Sequence, residues 1–162
     1  MREPTIVGTR NVSVNPGFRT LNTERASTVT LLKVLLIEDS PIIRQNLTEF
    51  LEELAPIRVV HAVDDESSAV AWLQDNSNEC DLAVVDIFLR RGTGLGVLKL
   101  ASSLNRRLCL LVLSNSATPD MRRKCLQLGA HAVFDKSNEI DELLSYCARL
   151  ANGETGPGRL EP

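Results

Sequence analysis

Aromatic side chains make up only 4% of this 162-residue chain: one Trp, one Tyr and four Phe. A core must therefore be built from Leu, Val, Ile and Ala. Lys and Arg are not gathered into runs, and the net charge of -3 is mild. A nucleic-acid-binding module would show a basic patch or stripe, so direct contact with nucleic acid is not expected. Long apolar runs are missing too: the longest, 108–113, spans six residues, against the roughly 18 that a membrane helix needs. No membrane span is expected.

None of the four cysteines, Cys80, Cys109, Cys125 and Cys147, forms a C-x-x-C pair, and no histidine lies at metal-ligand spacing from them. Buried, reduced thiols of a cytoplasmic protein are the expectation. The first 30 residues lack the apolar segment of a secretory signal. Residues 1–29 carry four Arg against two Glu, a balance shared with organelle transit peptides. A flexible or loosely docked extension over 1–30 accounts better for their Thr, Asn and Ser content.

What is present begins at Leu31. Five short apolar runs, 33–37, 57–63, 82–85, 108–113 and 132–134, are each followed by an amphipathic stretch. The runs do not alternate, as expected of strands covered on both faces. Between them, Ile42, Ile43, Leu47, Phe50, Leu51 and Leu54 recur at helical spacing behind Pro41. Ala69, Val70, Trp72 and Leu73 mark a second helix, and Leu95, Val97, Leu98 and Leu100 a third. Met121, Cys125, Leu126 and Leu128 mark a fourth, closed by Gly129. Ile140, Leu143, Leu144, Cys147 and Leu150 mark the last. Strand and helix alternating five times imply an α/β sandwich around a parallel sheet, in the order 2-1-3-4-5. One domain over 31–152 is expected, with a short disordered tail over 153–162.

Ligands bind outside the carboxyl ends of the strands of such a sheet. The first run is followed by Glu38, Asp39 and Ser40, the third by Asp86, the fourth by Ser114, and the fifth by Asp135, Lys136 and Ser137. The topology brings these ends together. Three carboxylates at close range repel, and a hard divalent cation such as Mg²⁺ relieves them while accepting phosphate oxygens. A cation, a lysine and a hydroxyl around a central Asp suit phosphoryl transfer, where positioning and charge neutralisation supply nearly all the catalysis. The carboxylate can itself be the nucleophile.

The segments V-L-L-I-E-D-S (34–40), V-V-D-I-F-L (84–89), V-L-S-N-S-A (112–117) and F-D-K-S (134–137) together resemble the receiver domain of bacterial two-component response regulators, of the single-domain, chemotaxis-regulator type. The resemblance covers about three quarters of the chain. It implies a flavodoxin-like (βα)5 doubly wound sheet with Asp86 as phosphoacceptor. Mg²⁺ would be held by Glu38, Asp39, Asp86 and the backbone carbonyl of Phe88. Ser114 would be the switch hydroxyl, Lys136 would bind the phosphoryl group, and Asn115 and Ser116 would flank the site. Gly94 falls where the family has glycine before the third helix. The implied partners are a histidine kinase or histidine phosphotransfer protein upstream and a downstream protein, or a second copy, on the surface of the fourth helix, fifth strand and fifth helix, including Asp141, Glu142 and Arg149.

Each residue also has a plainer role. Glu38 and Asp39 could serve the helix that starts at Pro41, but Ser40 is the better-placed cap. Asp86 could be a strand-end turn residue, Ser114 could satisfy local backbone donors, and Lys136 could be a solvated loop lysine. His61 and His131 match no site position and are expected to be structural, and Trp72 to be partly covered packing. The chain also departs from the family pattern. Arg90 stands where the family often has Pro, which predicts a looser loop after the third strand. Ser137 stands in place of a Pro after the lysine, so a fixed turn is lost. Asn115 replaces a small residue, and Val133 occupies the place of the aromatic switch, leaving Phe134 as the nearest substitute. Apolar Phe88 cannot orient an attacking water, which predicts a long-lived phosphoryl group.

With no output segment after 153–162, the expectation is a single-domain regulator acting by protein contact rather than an enzyme with a separate substrate. The competing readings are an interaction module that works without phosphorylation and a fragment of a DNA-binding response regulator. A dehalogenase-like phosphatase would need an Asp at 88, where this chain has Phe88.

Overall fold

In this computed structural model the described residues are 29–104 and 107–154. Ten elements alternate along them: β1 (Leu32–Ile37), α1 (Pro41–Leu54), β2 (Ile57–Val63), α2 (Glu66–Asn76), β3 (Leu82–Val85), α3 (Gly94–Leu104), β4 (Cys109–Ser114), α4 (Pro119–Gln127), β5 (Ala132–Asp135) and α5 (Ile140–Ala151). The strands pair in parallel in the order β2-β1-β3-β4-β5, the expected (βα)5 flavodoxin-like sheet. The expected extension over 1–30 lies outside the described residues save for Val29 and Thr30, and so does most of the tail over 153–162. No described helix is long and apolar enough to cross a membrane.

Successive strand side chains point to opposite faces, so each central strand feeds two cores. Leu35, Ile37, Val85 and Val112 pack with Ala69, Leu73, Val97, Leu98 and Cys125 from α2, α3 and α4. Val34, Leu36, Val84 and Leu111 pack with Leu47, Leu51, Leu143, Tyr146 and Cys147 from α1 and α5. All residues of β3 and β4 are buried, which explains why their apolar runs are unbroken.

β2 corrects the expectation that every strand is covered on both faces. Arg58, Val60, His61 and Ala62 are exposed. The strand lies at the sheet edge, and its register against β1 skips Val60 between the pairs Val34↔Val59 and Leu35↔His61. One extra residue on an edge strand bends it and disturbs the inside–outside alternation. His61 stacks on Trp72, with ring centroids 5.1 Å apart, and His131 accepts the Leu110 N–H through Nδ1 at 3.0 Å. Both histidines thus have structural contacts.

Helix ends follow their local chemistry. Ser40, Asp65 and Thr118 cap α1, α2 and α4 by accepting the N–H groups of Ile43, Ser68 and Met121. Pro41 and Pro119 occupy first turns, where no intrahelical donor is lost. After α4, Ala130 N–H reaches Cys125 O and Gly129 N–H reaches Leu126 O. That pair of bonds is a Schellman closure, and it needs Gly129 at φ +107°.

The four thiols are buried. Burial pushes Cys80 and Cys109 up to about 11 and Cys147 up to about 12, so they stay protonated and poorly nucleophilic. The core prediction is direct. Leu98 is fully buried between α3 and the sheet; Leu98→Ala removes its contacts and leaves a cavity, so it should cost about 2–5 kcal/mol in urea unfolding.

Candidate functional site

Glu38 and Asp86 are the first residues past β1 and β3, and backbone bonds set their height at the sheet edge. Glu38 N–H donates to Val63 O and Asp86 N–H to Ile37 O, each at 3.0 Å. Lys136 follows β5 in the same way, its N–H on Ser114 O at 3.1 Å. Its ammonium donates to Asp86 Oδ2 at 2.8 Å and to Glu38 Oε2 at 2.5 Å. Glu38 Oε1 accepts the Ser40 N–H at 3.2 Å, and Arg44 Nη1 donates to the Glu38 carbonyl at 2.9 Å. Both Glu38 oxygens are therefore engaged. Glu38 is 2% exposed and Asp86 8%, while Asp39 is half-buried.

Ligand oxygens of Glu38, Asp39 and Asp86 all lie within 4.8 Å of one another. At that separation two carboxylate charges repel by at least about 3 kcal/mol at an effective dielectric near 20. Lys136 offsets only one of the three charges. Burial raises the Glu38 carboxyl above its usual range despite the Lys136 ion pair. Burial would pull Lys136 down, but its bonds to Asp86 and Glu38 outweigh this and raise it, so the ammonium is held charged. An all-oxygen set with excess negative charge fits a hard divalent cation such as Mg²⁺.

Other predicted residues fall around this centre. Ser114 is fully buried and its hydroxyl accepts the Ser116 N–H at 3.2 Å. Asn115 is exposed. The Phe88 side chain is 58% exposed. Gly94 has a steric reason: a Cβ there would lie 2.1 Å from the Asp86 carbonyl oxygen. Only glycine lets α3 begin so close to that strand end. Val133 packs in the core shared with α4, whereas Phe134 lies on the opposite face, edge-on to Tyr146 with centroids 6.0 Å apart. Phe134 thus does not share the Val133 face.

Two departures from the family pattern are compensated by side-chain bonds. The turn after Lys136 is closed without proline, because Asp135 Oδ1 accepts the Ser137 N–H at 2.7 Å, an Asx-turn. The loop between β3 and α3, expected to be looser with Arg90, is instead tied to α2. Arg91 pairs with Asp65 at 3.0 Å, and Glu66 Oε2 accepts the Thr93 N–H at 2.7 Å.

Sequence reasoning missed Glu66, Arg91 and Arg122. Arg122 of α4 donates to Ala117 O at 2.9 Å, Val133 O at 2.8 Å and Glu139 Oε2 at 2.8 Å. The same Glu139 oxygen accepts the Asp135 N–H at 2.8 Å. These residues carry no motif, and their partners lie 5 to 27 positions away. The glycine spacing R-R-G-T-G-L-G over 90–96 was the one available signal of a crowded loop.

A family model described as a response regulator receiver domain matches residues 34–148. The nitrate/nitrite response regulator protein homolog of Haemophilus influenzae is 30% identical over 125 residues, covering 76% of this chain and 58% of that protein. The chain spans about half the length, or less, of the curated relatives it matches. The receiver domain of a NarL response regulator from Mycobacterium tuberculosis superposes with a TM-score of 0.66 at 22% identity, covering 76% of this chain and 98% of that one. A response regulator from Burkholderia pseudomallei, solved with a phosphorylated aspartic acid and a calcium ion, superposes with a TM-score of 0.63 at 19% identity, covering 75% and 69%.

The Arg122–Glu139 link makes a pH prediction. Arg122 and the Asp135 N–H hold Glu139 below its ordinary value of 4.5. A depressed folded-state value stabilises the fold fully above the unfolded value and is lost as pH falls through the folded one. Stability should therefore decline below about pH 4.5, and Glu139→Gln should flatten that acid limb in urea titrations while lowering stability near pH 7.

Proposed function

The chain belongs to the response regulator receiver family, and on that premise we propose that it accepts a phosphoryl group on Asp86 and signals through protein contact. The observation that carries this is the Lys136 ammonium bound to both Glu38 and Asp86, beside Asp39 and the buried Ser114 hydroxyl. The five groups come from four strand ends, with Glu38 and Asp39 sharing that of β1. A lysine serving only solvation would not be held between two carboxylates.

The donor is a phosphohistidine on a histidine kinase or phosphotransfer protein. The Asp86 carboxylate attacks phosphorus in line, a P–O bond forms, and the P–N bond to the imidazole breaks. Mg²⁺ held by Glu38, Asp39, Asp86 and the Phe88 carbonyl would neutralise charge on the transferring oxygens. Lys136 passes from the Asp86 carboxylate to a phosphoryl oxygen, and the Ser114 hydroxyl donates to another. As Ser114 turns inward it gives up its bond to the Ser116 N–H, which loosens the segment leading into α4. Arg122 grips the Ala117 carbonyl of that segment and the Val133 carbonyl of β5. Motion at the site thereby reaches the α4-β5-α5 surface, where a downstream protein or a second copy docks. An open groove there is lined by Phe134, Asp141, Glu142, Ser145, Ala148 and Arg149. Dephosphorylation is slow and takes place in the same site, and no separate substrate is turned over. A bacterial cytoplasm, where histidine kinases present their phosphoryl groups, is the setting this reading requires.

The phosphorylated aspartic acid of the Burkholderia neighbour agrees with this reading. A second reading, a receiver portion of a longer DNA-binding regulator, is favoured by the partial coverage of the relatives. A reading frame ending at Pro162 would exclude it.

Phosphotransfer from labelled kinases should give Mg²⁺-dependent labelling that is abolished in Asp86→Asn. Absence of labelling with every donor, or labelling that survives Asp86→Asn, overturns the proposal. Beryllofluoride with Mg²⁺, which stands in for the aspartyl phosphate, should shift the amide resonances of Ser114 and Ser116. Because exposed Phe88 offers no polar group to orient water, the label should persist well beyond seconds after the donor is removed, and decay within seconds would contradict the role given to Phe88.

A further inference from the structure

Glu66, at the start of α2, lies remote from the phosphoacceptor in sequence and matches no site motif, yet its carboxylate is tightly seated. Oε2 accepts the Thr93 N–H at 2.7 Å, and the Glu66 N–H donates to Arg91 O at 3.2 Å. Two glycines make room for it. A Cβ at Gly96 would lie 2.0 Å from Glu66 Oε1, and one at Gly92 would lie 2.4 Å from Glu66 Cβ. The adjacent Asp65 pairs with Arg91 at 3.0 Å. Two successive residues at the N-terminal end of α2, Asp65 and Glu66, thus grip the returning arm of the loop between β3 and α3 at Arg91 and Thr93.

That arm is joined to the site. Thr93 pairs with Phe88 as an isolated antiparallel bridge, and Gly94 N–H donates to Ile87 O at 2.8 Å. The outgoing arm therefore takes its position from the returning arm, and Phe88 stands two residues after Asp86. The Thr93 hydroxyl also accepts the Gly96 N–H at 3.2 Å, so α3 begins from the same fixed point.

We propose that Glu66 is a positioning residue of the phosphotransfer site, acting through Thr93 to hold the Phe88 backbone where the Glu38–Asp39–Asp86 cluster uses it. The inference rests on the phosphoacceptor reading above. It gives the chain a substitute for the rigidity that a proline at position 90 would supply. The working feature is the hydrogen bond from Thr93 to a carbonyl-type oxygen and not the negative charge of Glu66. Groups that orient metal ligands from outside commonly affect metal affinity by tenfold or more when removed.

The test uses the full chain, with Mg²⁺ titrated by calorimetry, Phe88 and Thr93 amide shifts followed by NMR, and thermal unfolding measured alongside. Glu66→Ala should weaken Mg²⁺ binding about tenfold and shift both amides. Glu66→Gln keeps an oxygen acceptor and should stay close to wild type. Gly96→Ala keeps the Glu66 residue but displaces its carboxylate, because the added methyl group falls where that carboxylate sits. Alanine favours a helix over glycine, so this variant should weaken Mg²⁺ binding without a matching loss in unfolding temperature. Wild-type affinity in Glu66→Ala, or an equal loss in Glu66→Gln, would overturn the positioning role and leave the phosphoacceptor reading standing. A wild-type chain that takes up no Mg²⁺ and no label would overturn both.

Discussion

One ammonium group organises this molecule. Lys136 bonds to Glu38, 98 positions earlier in the chain, and to Asp86, 50 positions earlier. Three carboxylates crowded at one edge of a sheet would repel, and leaving one buried without a partner costs several kcal/mol. The lysine relieves part of that cost and ties the ends of β1, β3 and β5 together. Its own backbone N–H on Ser114 O brings in β4. Four of the five strands meet through this one residue, and the site still carries unbalanced negative charge.

Much of this is legible in the sequence. Unbroken apolar runs with helical stretches between them determine a parallel sheet, because only strands covered on both faces can be apolar throughout. Acids, a hydroxyl and a lysine placed just past those runs had to converge, since parallel strands all end on the same side. The edge strand is not legible, because Val59 and Val60 look like core, and nothing local announces that β2 has one neighbour and one extra residue. Arg122 and Glu66 were invisible for another reason. Each acts through a backbone group of a distant segment, and any residue type can offer a carbonyl or an N–H.

The departures from the family pattern share a physical logic. Proline rigidifies a loop by removing conformations from the chain itself. Here the same restriction comes from side-chain bonds: Asp135 closes the turn after Lys136, and Asp65 and Glu66 hold the segment before α3. Arg122 makes a comparable substitution at the fifth strand. Its guanidinium binds the Val133 carbonyl, joining α4 to β5 through the backbone in addition to the packing of the Val133 side chain. Backbone bonds of this kind tolerate change in the residue that carries the carbonyl, but not in the arginine that reads it.

The burial of all four thiols also decides how this protein can be observed. Cys80, Cys109, Cys125 and Cys147 lie inside the two apolar layers and are held protonated, so thiol reagents meet no ready nucleophile on the folded surface. A single cysteine introduced at solvent-facing Asn115 would become the one fast-reacting position. A fluorophore or spin label could then be attached beside the pocket with every native cysteine left in place, giving a direct optical or magnetic record of the segment between β4 and α4.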